Sequence, residues 1–150
     1  MTALTQAWQA ALAAEHRAAF AYGLVGAQLN ASSQLALVIA CSNAHEALRN
    51  STEAEMTASG VVPVPPQADY PDLYPVSTPA QARAISIRVE DGCAAAWRFL
   101  YSVAAGQTGA DARRLRPRAQ SGLTASAVRG TRWRKIVRPS AATVAFPGLP

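Results

Sequence analysis

Apolar, aromatic and small residues recur every three or four positions along the first thirty residues: Leu4, Trp8, Leu12, Ala19, Tyr22, Gly26 and Leu29. That spacing puts them on one face of a helix. It predicts helix one from near Thr2, whose hydroxyl can cap the first free amides, to about Asn30. Glu15 sits in the middle of this stripe. A charge on a face that must be buried is costly unless something pairs with it, so Glu15 requires a partner inside the fold.

The next pattern supplies one. Ala31 to Ser33 is too short for anything but a tight reversal, so helix two returns antiparallel to helix one. It is predicted from Ser33 as cap to Gly60, a residue suited to the left-handed turn past a helix end. Its stripe reads Leu35, Val38, Cys41, His45, Leu48, Thr52 and Met56, with Arg49 bordering it one turn after His45. Antiparallel helices of similar length bring their midpoints together, which makes Glu15 and His45 expected neighbours.

From Gly60 to Thr78 the prolines at 63, 65, 66, 71 and 75 exclude a helix. A connection of this length fits a strap that runs along a bundle and returns the chain to the other end. Thr78 as cap, Pro79 at the first position and Gln81 at the third then announce helix three, to about Ala105. One stripe on it, Ile87, Glu90, Ala94, Trp97, Tyr101 and Ala104, places a second carboxylate near mid-helix; Val89, Ala96 and Val103 form a competing stripe. In helix four, Asp111 suits the start, Pro117 predicts a kink or a restart, and Arg118 to Val137 carries a stripe of Ala119, Leu123, Ala127, Gly130, Trp133 and Val137. Phe146 and Leu149 in the apolar tail (about 139–150) are expected to pack back onto the bundle.

Composition narrows the class. A chain of 150 residues, half of them hydrophobic, fits one all-α domain with a single core. No apolar run reaches the roughly 18–20 residues a membrane span needs, so no membrane partner is expected. Met1 to Ala10 lacks the flank and apolar run of a secretory signal, which makes a cytoplasmic location the default. Cys41 and Cys93 fall inside predicted helices and read as free, buried, small apolar residues. There is no Gly-x-Ser-x-Gly, no phosphate-binding glycine loop and no zinc-type cysteine cluster. His16, adjacent to Glu15, points roughly 100° away around the helix, toward solvent or the strap.

The net charge of +5 is concentrated late in the chain: nine of 14 basic residues lie between Arg113 and Arg138, beyond the last acid, Asp111. Arg113, Arg114, Arg116, Arg118, Arg132, Arg134, Lys135 and Arg138 form a candidate anion-binding patch. The same residues also fit the solvated face of a terminal helix.

Four helices with a long Pro-rich crossover between the second and third describe the ferritin-like four-helix bundle. The run Ala14-Glu15-His16-Arg17-Ala18-Ala19-Phe20-Ala21-Tyr22-Gly23, the His45 helix, the proline strap, Val89-Glu90 with Trp97-Arg98, and the closing Phe146-Pro147-Gly148-Leu149-Pro150 resemble an alanine-rich bacterial ferritin-like family that carries a domain-of-unknown-function label. The resemblance implies a glutamate on each of two helices and a Glu-x-x-His pair on each of the other two. Glu15, Glu90 and His45 match three of these ligands. Ser42 stands where the glutamate before His45 should be, and helix four supplies neither member of its pair.

Three functional readings follow. The favoured one is a bundle with a degenerate metal site that serves as a binding or scaffolding module. In it Glu15, His45, Arg49 and Glu90 form a buried, charge-balanced network with no metal and no cofactor, and the alanine-rich faces form a homodimer. The second is a mononuclear redox or storage site on Glu15, His45 and Glu90 that takes iron or manganese. The third, less favoured, is a nucleic-acid partner on the basic patch, with steep salt dependence.

Overall fold

Four helices carry most of the computed structural model, which describes residues 1–149: α1 (Ala3–Gly26), α2 (Ser32–Ala58), α3 (Pro79–Ala105) and α4 (Ala110–Val137). No strand occurs among the described residues. Pro150, the last residue of the closing motif, lies outside them.

Local chemistry fixes most of the helix ends. Thr2 Oγ1 accepts the Thr5 amide at 3.1 Å and opens α1. The helix stops at Gly26, earlier than the expected Asn30, and Leu29 is buried from the turn beyond it. Ser33 does not cap α2; the cap position is Ala31, with no side-chain bond. At the other end Gly60, with φ of 72°, turns the chain. Val61 N then donates to Met56 O at 2.9 Å and Gly60 N to Thr57 O at 3.0 Å, the paired bonds of a glycine-terminated helix. Thr78 Oγ1 accepts the Gln81 amide at 3.2 Å to open α3, while Gln81 Oε1 reaches past the cap to the Ser77 amide at 3.0 Å.

Residues between α2 and α3 lie along α1. Gln9 clamps them at one end: its Nε2 donates to Val62 O at 2.7 Å and its Oε1 accepts the Val64 amide at 2.8 Å. Further along, Phe20 meets Tyr70 with ring centroids 5.2 Å apart, Arg17 pairs with Asp72, and Leu73 is fully buried. Arg83 Nε then donates to Gln34 Oε1 at 3.0 Å, which sets the start of α3 beside the start of α2. The second and third helices therefore run parallel.

α1 packs on α2 and α3, and α3 packs on α4; α2 and α4 are not closely packed on each other. Because α3 lies between α1 and α4, its buried surface is wider than either predicted stripe. It takes in Ile85, Val89, Glu90, Cys93, Ala94, Trp97 and Leu100, while Tyr101 is exposed.

Three expectations for the end of the chain are corrected. α4 is one helix through Pro117, with no restart. Ala112, Leu115 and Ala119 are buried on both sides of the proline while Pro117 is exposed, so the packing of α4 on α3 spans it. The buried face of α4 is also rotated from the predicted stripe: it comprises Leu115, Ala119, Gly122, Ser126, Arg129, Gly130 and Trp133, and Val137 is half exposed. Phe146 (67% exposed) and Leu149 (49%) point outward and do not anchor the tail. The tail docks through backbone instead. Gly148, with φ of 80°, lies so close to α3 that a Cβ there would sit 2.7 Å from Ala94 O.

Gly122 lies against the Trp97 ring of α3, so close that a Cβ there would be 2.5 Å from it. Gly122→Ala must displace a buried indole, and overpacking of this kind costs about 1–3 kcal/mol. A lowered unfolding midpoint in denaturant together with a shifted tryptophan emission is the expected outcome.

Candidate functional site

Each of the four helices sends a charged side chain to the centre of the bundle. Glu15 (α1), His45 (α2) and Glu90 (α3) are fully buried, and Arg129 (α4) is 9% exposed. His45 bridges the two acids: its Nδ1 lies 2.6 Å from Glu15 Oε2 and its Nε2 3.1 Å from Glu90 Oε1. Arg129 Nε donates to both oxygens of Glu90 at 3.0 Å, and its Nη2 donates to Ser126 Oγ at 3.1 Å.

Aromatic groups complete the shell. Trp97 Nε1 donates to Glu15 Oε1 at 2.7 Å. Tyr22 OH donates to Glu90 Oε1 at 2.6 Å and accepts from Trp133 Nε1 at 2.9 Å. Tyr22 also stacks on His45, with ring centroids 5.5 Å apart. Every neighbour that bonds to Glu15 or Glu90 is a donor, which matches the acceptor-only chemistry of a carboxylate. Hydrogen bonds to charged groups of this kind are worth roughly 1.5–3 kcal/mol each.

Protonation follows from the geometry. Burial alone would push the His45 imidazole down, but the bonds to Glu15 and Glu90 and the charge of both acids outweigh it and push it up to about 9. At neutral pH it is an imidazolium that donates from both nitrogens. Burial and the charge of Glu90 hold the Tyr22 phenol well above its usual range, so it stays neutral. Two carboxylates, one imidazolium and one guanidinium sum to zero.

The sequence-predicted residues divide clearly. Glu15, His45 and Glu90 come together. Arg49 does not join them: it is half-buried, and its Nε donates to Asn50 Oδ1 at 2.9 Å. The cation that does join is Arg129, which sequence reasoning passed over because the stripe chosen for helix four skipped it. A signal was present, since Ser126-x-x-Arg129 repeats the spacing of Ser42-x-x-His45. His16 faces the strap: it is buried, with Nε2 donating to Val64 O at 3.0 Å. Cys41 and Cys93 are free and buried.

A family model described as Domain of unknown function (DUF4439) matches residues 7–150. The chain belongs to this family. It is similar to the crystal structure of a conserved hypothetical protein, rv2844, from Mycobacterium tuberculosis, with 31% identity and a TM-score of 0.77 over 89% of this chain and 96% of that one. No curated protein matches it. The likeness supports the fold and assigns it no reaction.

Glu15, His45 and Cys93 can each offer one ligand atom within 4.8 Å of the others. In the arrangement present, both His45 nitrogens are already committed as donors. Burial, together with the charge of Glu15 and Glu90, pushes the Cys93 thiol well up, so it keeps its proton, and its Sγ lies 3.5 Å from Ala14 O.

The predicted anion patch is largely engaged within the chain. Arg113 donates to Thr108 O, Arg116 to Ala104 O and Gln107 O, and Arg134 pairs with Asp91. Arg114 lies 3.6 Å and Arg118 3.5 Å from Glu55. Arg132, Lys135 and Arg138 make no such contact among the described residues. No helix among those residues is long and apolar enough to cross a membrane.

Removing one member of a buried charge cluster strands the others, at about 3–5 kcal/mol. Arg129→Met should therefore lower the unfolding free energy by about that amount, whereas Arg49→Met should change it by less than about 0.5 kcal/mol. Urea titrations of the two variants against the parent measure the difference. His45 also predicts a pH slope. Its folded value of about 9 lies above the ordinary 6.5, so its contribution is complete below pH 6.5 and is lost as pH rises through 9. That difference is worth roughly 3 kcal/mol. Stability measured between pH 6.5 and 10 should fall, and His45→Gln should flatten the fall.

Proposed function

We propose that this chain is a ferritin-like bundle that has exchanged its dinuclear metal centre for a charge-neutral polar network, and that it acts as a binding or scaffolding module. Residues 61–78 serve as its crossover, and its alanine-rich faces are the surfaces through which it pairs. The observation that carries this reading is the position of Arg129. On the ferritin-like pattern the helix-four place should present a Glu-x-x-His pair to the metals. Ser126-x-x-Arg129 stands there and puts a permanent guanidinium 3.0 Å from both oxygens of Glu90. A fixed cation on both oxygens of Glu90, and an imidazolium on one oxygen of each acid, take up positions a divalent ion would need and repel its charge. Ser42 likewise withholds the carboxylate expected before His45.

A second reading has one observation in its favour. The Glu15, His45 and Cys93 ligand atoms are close enough to share a single ion. That site would form only with loss of a proton from His45 and another from Cys93, so uptake would rise with pH.

Elemental analysis of the native protein, purified without chelator at pH 7 and dialysed against iron, manganese or zinc at pH 9, separates the two. Less than about 0.1 metal per chain in both preparations is expected on the charge balance above. Near one metal per chain at pH 9, lost in Cys93→Ala, would establish the mononuclear site. Near two at pH 7 would restore the dinuclear one.

A further inference from the structure

Three of the four lateral seams of the bundle are closed by helix packing, and the fourth, between α2 and α4, is open. Two adjoining hollows of about 290 and 510 Å³ lie along it, sharing Ala44, Ala125 and Arg129. The larger is floored by Ala44, Ala47, Leu48, Gly122 and Ala125. The smaller carries Arg129 and Arg132, one helical turn apart on α4. Neither hollow has an acidic lining residue among those described.

The two ends of the seam differ electrostatically. At one end the Arg118 terminal nitrogens pair with Ser51, Thr52 and the Glu55 carboxylate, which balances its charge, while its Nε is buried without a partner among the described residues. At the other, Arg132 is exposed and makes no hydrogen bond or ion pair among the described residues. Arg129 has bonded only through Nε and Nη2, to Glu90 and Ser126. Its Nη1 has no partner among the described residues, and the residue lines both hollows. An apolar trough therefore leads to two guanidiniums with spare donors. Residues 118 to 129 of α4 extend it by about 16 Å at the usual ~1.5 Å rise.

We infer that the α2/α4 seam binds a single-chain carboxylate, a fatty acid, with its headgroup between Arg129 and Arg132 and its chain along Ala125, Gly122, Ala47 and Leu48. Guanidinium matches carboxylate as a planar fork, and the alanine floor buries methylenes at roughly 0.8 kcal/mol each. A second copy of the chain is a poorer occupant. Two-fold pairing would set the same patch against itself and bring the arginines of both rims together. The inference rests on the reading of the chain as a binding module, and metal analysis tests that reading separately from ligand uptake.

The test is calorimetric titration of the full chain with laurate below its micelle onset, with lauryl alcohol as the uncharged comparison. One laurate per chain is expected, with the alcohol at least tenfold weaker. Ala125→Phe, which fills the trough without touching the central network, should weaken laurate at least tenfold at an unchanged unfolding midpoint. Arg132→Gln, at an exposed position, should weaken laurate several-fold and leave the alcohol unaffected, so it carries the test if Ala125→Phe proves unstable. Absence of saturable uptake, equal affinity for the alcohol, or uptake indifferent to both variants would overturn the proposal. So would a concentration-dependent dimer that Ala125→Phe dissociates while laurate fails to bind.

Discussion

Four formal charges share the interior of this bundle, and their sum is zero. That constraint sets the register of the whole structure, because each charge belongs to a different helix and each must stand at the same height along the bundle axis. His45 can donate to Glu15 and Glu90 together only if α1 and α3 present their acids on either side of α2. Arg129 can grip both oxygens of Glu90 only if α4 lies close against α3, which Gly122 and Gly130 allow. A slip of one turn, about 5.4 Å, would strand at least one ion without a partner. Buried ion clusters of this kind add little net stability over an apolar core, but breaking them is costly. Their effect is to single out one alignment of four alanine-rich helices that could otherwise slide past one another.

The aromatic shell follows from the same requirement. With Glu15 and Glu90 fully buried away from bulk solvent, each carboxylate oxygen requires a donor. The carboxylates receive Trp97 and Tyr22 in addition to His45 and Arg129, and Trp133 satisfies the tyrosine oxygen in turn. Large side chains that a composition scan would assign to hydrophobic packing therefore also act as donors. Their rings exclude solvent, and their polar edges complete the network.

Most of the fold was legible in the chain, because helix periodicity, proline placement and caps are local signals. Thr78-Pro79 and Gly60 stand where their backbone chemistry requires, and the burial of Glu15, His45 and Glu90 follows from their place on apolar stripes. The missing part was the cation. Arg49 was chosen because it lies one turn from His45 in sequence, yet that turn carries it off the buried face, where it meets Asn50. Arg129 was hidden because a stripe drawn through apolar residues passes over a buried arginine by construction. Charge balance offered a route to it: two buried acids and one histidine leave a deficit of one cation, and helix four holds the only basic residue at the spacing that mirrors Ser42 and His45. The tail failed for a different reason. Phe146 was expected to anchor by its size, but the contact is made by the small Gly148, whose backbone approaches Ala94 more closely than a side chain could.

The open seam between α2 and α4 is a consequence of how the centre is wired. On the ferritin-like reading, a metal pair would be ligated from both of these helices and would draw them together. Here His45 of α2 bonds only to acids on α1 and α3, and Arg129 of α4 turns to Glu90 on α3. Neither helix has a bond to the other at the level of the network. They are tied at one end alone, where Arg118 and Arg114 reach Glu55 and Arg118 also reaches Ser51 and Thr52. Beyond that tie, α2 presents Ala40, Ala44 and Ala47, too short to fill the gap. The groove follows from this wiring: bonds to α1 and α3 keep the helices aligned, and none joins α2 to α4 at the height of the network.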